Sequence, residues 1–84
     1  MKMDWLKIWH EDKECIINTM RRNMADDLKA GYDYNGVSIQ RQIKEIKEYE
    51  QSFKDDLIKL AEMPDNKIQK WCYFQLLKSG AISL

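Results

Sequence analysis

Eighty-four residues with fourteen basic and fourteen acidic side chains, one histidine and two cysteines leave room for one core and no second domain, so residues 1–84 are expected to form a single unit. The zero formal charge weighs against DNA or RNA as the main partner, because chains that bind polyanions carry a net basic field or stripe. Cys15 and Cys72 stand far apart and do not make the dense disulfide framework of small secreted domains.

The first segment, Met1-Lys2-Met3-Asp4-Trp5-Leu6-Lys7, breaks its apolar residues with charge every few positions, which is not the pattern of a signal peptide. The longest apolar run, Trp71-Cys72-Tyr73-Phe74, is far short of the roughly 20 residues a membrane span needs. The expectation is a cytoplasmic chain with both thiols free and no membrane partner. A chain of this length buries only about two-thirds of its unfolded surface, so it is marginal unless disulfides, a metal or a partner chain help, and its two distant cysteines speak against the first.

Asp4 is the predicted N-cap of a first helix over about residues 4–30, a stretch free of proline and glycine. Gly31 fits the left-handed C′ position that ends it. Gly31-Tyr32-Asp33-Tyr34-Asn35-Gly36 has turn composition throughout. Ser38 is the predicted cap of a second helix running over about 38–63, where Pro64 enforces a boundary. A third helix is predicted over 65–79, with Gly80 after it. A connection of about six residues makes the first two helices antiparallel neighbours. The predicted fold class is therefore all-α: a long antiparallel helical hairpin with a shorter third helix packed at its base.

In the second helix Ile39, Ile43, Ile46, Phe53, Leu57 and Leu60 step by fours and threes, with Glu50 as the single polar interruption. That is a heptad seam made to meet one partner helix. Glu50 and Lys54, and Asp55 and Lys59, have the favourable i,i+4 order on the outer face. The early part of the first helix is apolar over a broad arc, with Trp5, Trp9 and Ile16 at its centre, Ile8 and Cys15 on one flank and Leu6 and Ile17 on the other. Past Met20 the arc narrows to Met24 and Leu28, and Asn23 and Asp27 intrude. The second half of the second helix adds Ile58 and Ala61 outside its seam. Broad arcs ask for two neighbours and narrow ones for a single neighbour, which predicts a three-helix base and a two-helix stem ending in the Tyr32–Tyr34 loop.

The third helix has two apolar faces. Ile68, Trp71, Cys72 and Leu76 would dock on the hairpin. Tyr73, Phe74 and Leu77 face elsewhere, where Ile82 and Leu84 of the tail could fold back over them or where another protein could sit.

No catalytic constellation is visible, and the chain reads as a non-enzyme without cofactor or small-molecule substrate. His10 and Glu14 share a helical face, but two ligands do not make a zinc site, so no metal is expected. Cys15 and Cys72 read as small buried hydrophobes. Asp26-Asp27 and Asp55-Asp56 are sequential and point about 100° apart on a helix. Asp27 faces the narrow stripe, where Arg41 or a loop tyrosine could meet it. Tyr32 and Tyr34 are either rigid aromatics of a binding loop or a staple over the hairpin tip.

These features together predict a small interaction module, an adaptor, regulator or inhibitor of a larger protein. Its expected partner is that protein or a second copy of itself, contacted through Tyr73, Phe74, Leu77, Ile82, Leu84, Tyr32 and Tyr34. Size and plainness suit a bacterial or mobile-element accessory protein. The alternative is nucleic-acid binding through Arg21 and Arg22 with Lys67, Lys70 and Lys78, placed second because these cations are spread among acids and no helix shows an uninterrupted basic face.

Overall fold

A computed structural model describes residues 3–83. It is all-α, with α1 at Trp5–Lys29, α2 at Val37–Ala61 and α3 at Asp65–Ser79, and it contains no strand among the described residues. α1 packs against both α2 and α3. The shape is elongated, 48 × 25 × 17 Å, with a radius of gyration of 15.8 Å where a compact chain of this length would have about 12 Å.

The helix ends follow local chemistry. The Asp4 side chain accepts the Lys7 backbone N–H at 3.1 Å, capping α1 as expected. At the other end Gly31 has φ +102°, its N–H reaches the Leu28 carbonyl, and the Tyr32 N–H reaches the Asp27 carbonyl. Those two bonds form a Schellman motif, which needs the left-handed residue that glycine supplies. α3 ends the same way: Gly80 has φ +79°, and the N–H groups of Gly80 and Ala81 reach the carbonyls of Leu77 and Leu76.

α2 starts two residues earlier than a cap at Ser38 would have it, at Val37. The Asp33 side chain accepts the Asn35 N–H and the Asp33 carbonyl accepts the Gly36 N–H, so the turn closes early. Gly36 becomes the N-cap, with no side-chain cap. α2 also stops at Ala61, two residues before Met63, and a turn carries the chain into Pro64.

The base core contains Trp9, Phe53, Leu60, Cys72 and Leu76, with Trp5, Leu6, Ile8, Ile17, Met63, Ile68, Trp71 and Ile82 packed around it. Trp9 lies between Phe53 and Trp71, at ring-centroid distances of 5.4 Å from each. Its Nε1 finds no hydrogen-bond partner. Ile39 and Ile46 are buried outside this cluster, in the stem. Polar pairs accompany them there: Gln42 donates to Asp27 at 2.8 Å, and Arg21 pairs with Glu50.

Three expectations are corrected. Asp27 meets Gln42, one position along from Arg41. Glu50 pairs across the hairpin with Arg21 in place of an intrahelical bond to Lys54. Ile58 and Ala61 are exposed, because α3 lies against α1 and leaves that flank of α2 uncovered.

Candidate protein-contact surface

α3 presents two different sides. Cys72 and Leu76 are buried in the base core, and Trp71 and Ile68 pack around it. On the outside Phe74 is 56% exposed. Its ring lies 5.8 Å from that of Tyr73, and Tyr73 in turn meets Trp5 edge-on at 4.9 Å. Three aromatic rings from α1 and α3 thus form a continuous ladder that runs from the half-buried Trp5 to the exposed Phe74. Beside it lies a hollow of about 250 Å³ walled by Trp5, Tyr73, Gln69 and Lys70.

Gln69 anchors this surface from below. Its Oε1 accepts the Trp5 backbone N–H at 2.7 Å and its Nε2 donates to Asp4. The tail is drawn inward by the Schellman turn at Gly80, and the Ile82 N–H reaches the Leu76 carbonyl. Ile82 consequently packs on the core while Phe74 stays open.

Of the residues singled out in the sequence, Tyr73 and Phe74 are therefore neighbours, and Leu77 is half-buried on the same helix. Ile82 contributes to the core edge. Leu84 lies outside the described residues. Tyr32 and Tyr34 sit in the hairpin loop, away from the base, with both rings exposed. Neither ring staples the tip; the loop is held through backbone, with Gln40 donating to the Tyr34 carbonyl at 2.8 Å.

The charge around Phe74 departs from what the sequence suggested. At about 100° per residue, Lys67, Lys70, Phe74 and Lys78 fall within an arc of roughly 80°, and all four are exposed. No acidic side chain follows Asp65. From Lys67 onward the outward face of α3 is a basic stripe around one phenylalanine, where no such face was expected. Interleaved neutral and apolar residues hide it in the linear sequence.

A second surface was missed altogether. His10, Ile17, Phe53 and Leu57 line a groove of about 520 Å³ between α1 and α2, rimmed by Glu14, Arg21, Glu50 and Lys54. Ile58, beside Leu57 in the chain, is 63% exposed. His10 stands edge-on to Phe53 at 5.1 Å, and its Nδ1 lies 3.3 Å from Glu14. The rim carries both signs of charge and selects no particular ligand.

The two thiols differ. Cys15 is exposed, contrary to its reading as a buried hydrophobe, because it lies on the flank of α1 that neither neighbour covers. Cys72 is fully buried. Burial, with the Asp4 carboxylate adding to it, pushes its thiol from 9.0 up to about 11. Among the described residues no three histidine, cysteine or acidic side chains gather as metal ligands would, and no helix is long and apolar enough to cross a membrane.

No protein-family model matches the chain, and neither the curated proteins nor the solved structures yield a match.

Proposed function

We propose that this chain is a non-enzymatic protein–protein interaction module, an adaptor, regulator or inhibitor that acts by docking the outward face of α3 on a larger protein. The observation that supports it is Phe74: a large ring, more than half exposed, set on a ladder with Tyr73 and Trp5. Water contact with such a ring is unfavourable at about 25 cal/mol per Å² of apolar surface. Exposed aromatic anchors beside a firmly held scaffold are the usual centre of an interface.

The nucleic-acid alternative keeps its three α3 lysines on one exposed face but does not gain the arginines beside them. Arg21 is engaged with Glu50, and Arg22 lies roughly 20 Å along α1 from Trp9, away from the core that α3 covers.

The test compares wild type with Phe74→Asp by light scattering and by affinity capture from host extract. The variant is expected to keep its fold and lose partners. An unchanged mass together with an unchanged capture profile would count against the reading.

A further inference from the structure

We propose that the outward face of α3 docks a protein surface that is acidic around an apolar hollow, and that a second copy of this chain does not fill that place. The proposal rests on the reading of this face as a protein-contact surface and names the chemistry of its partner.

The composition of the stripe selects the sign. Lys67, Lys70 and Lys78 surround Phe74, all four are exposed, and no carboxylate follows Asp65. Asp4, which meets α3 from the start of α1, already accepts from the Lys7 N–H and from Gln69. Lys67 and Lys78 stand eleven positions apart, about 16 Å of helix. A complementary partner therefore carries carboxylates over three helical turns with a hollow for the Phe74 ring between them. Its own apolar side chain has a counterpart in the Trp5–Tyr73–Lys70 hollow. Opposed charge at the rim and a buried aromatic at the centre is the arrangement that gives both orientation and affinity.

Self-pairing is disfavoured by the same residues. A two-fold axis through Phe74 that sets two copies of α3 antiparallel puts Lys70, four residues before it, opposite Lys78, four residues after it. A two-fold axis along α3 sets each lysine against its own copy. Either isologous contact faces like charge with like charge and leaves it unanswered.

A nucleic acid is favoured less. Polyanion binding draws on the sum of many cation–phosphate contacts, and this chain has zero formal charge and three lysines on the face. These are point charges, without the forked guanidinium that grips phosphate in two places.

The intact chain is titrated by calorimetry with a leucine–glutamate amphipathic helical peptide of roughly 20 residues, long enough to cover the stripe, with its leucine–lysine counterpart, and with an oligothymidylate of similar length. The acidic peptide is expected to bind about tenfold tighter than the basic one. The order is expected to invert in K67E/K70E/K78E, and Phe74→Ser is expected to weaken the acidic peptide about tenfold. All four positions are exposed, so each variant is expected to keep its helices, which circular dichroism of each is to check.

Equal binding of both peptides, binding of neither, or tighter binding of the oligothymidylate overturns the proposal. So does a doubled mass of the free chain that Phe74→Ser halves, which would assign the face to a second copy. If Phe74→Ser weakens binding while charge reversal does nothing, the acidic partner is wrong and the contact surface stands. If neither change matters, both readings fall.

Discussion

Gln69 of α3 accepts the backbone N–H of Trp5 at 2.7 Å. That N–H is among the first of α1, which have no carbonyl partner within their own helix, so a side chain sixty-four residues away completes the cap that Asp4 begins. The same amide donates to Asp4 at 3.4 Å, tying the cap residue to α3 as well. Docking of α3 and the start of α1 are therefore one event.

Replacing Gln69 by alanine removes this acceptor and leaves a partly buried N–H without a partner. The expected loss is about 1–2 kcal/mol, read as a lower urea midpoint at unchanged m-value. Asp4→Ala should cost about as much, and the double variant should lose less than the sum of the two, because they share one network. Strict additivity would show that the two contacts are independent.

The hairpin is legible in the sequence because its punctuation is strong. Asp4, Gly31 and Pro64 each have a single local use, and the isoleucine seam of α2 has one period. What could not be read is which side of the hairpin α3 chooses. Ile58 and Ala61 argue for a neighbour on α2, yet Trp5 and Trp9 offer larger rings on α1, and α3 goes to them. That choice leaves Ile58 and Leu57 uncovered and opens the groove at His10. Long-range side-chain caps such as Gln69 are invisible for a similar reason: a glutamine on an amphipathic boundary looks like any solvated residue. Of the candidate site, the exposed ring of Phe74 was readable from helical phase alone, whereas the lysine stripe emerges only when the buried faces are removed from view.

Burial along α2 falls on every seventh residue: Ile39, Ile46, Phe53 and Leu60 are buried, while Ile43 and Glu50 are half-buried and Leu57 is exposed. One row of the seam thus holds the hairpin. Phe53→Ala should cost about 3–5 kcal/mol, close to the whole stability of a chain this small, whereas Leu57→Ala should cost about 1 kcal/mol or less. Chemical denaturation of the two variants decides this. A similar loss for both would mean that the two rows carry the seam together.

Arg21 and Glu50 join the stem where the seam turns polar. Their side chains are 56% and 30% exposed, so water and salt screen the pair and its coupling should be below about 1 kcal/mol. A double-mutant cycle with Arg21→Ala and Glu50→Ala, run at low and high salt, should show coupling that shrinks with ionic strength. Glu50→Leu should stabilise the stem modestly by extending the apolar seam, at the cost of the one charge that marks its register. A clear loss of stability in Glu50→Leu would show that the ion pair outweighs the apolar contact it displaces.

The two thiols give the remaining prediction. Cys15, exposed on α1, should react with a disulfide reagent in the native protein, while Cys72 should react only on unfolding. Cys72 also couples folding to alkaline pH. Its thiol ionises near 9.0 when solvated and near 11 when folded, so below pH 9 both states hold the proton and its contribution is fully present. Between those values the unfolded chain releases the proton and the folded chain keeps it, so stability falls as pH rises, by up to roughly 3 kcal/mol. Cys72→Ala removes this coupling and opens a small void. It should therefore be less stable than wild type at pH 8, with the gap narrowing towards pH 11. A constant gap across that range would mean that Cys72 ionises alike in both states, and rapid labelling of both thiols in the native protein would mean that α3 opens away from α1 far more often than its buried contacts imply.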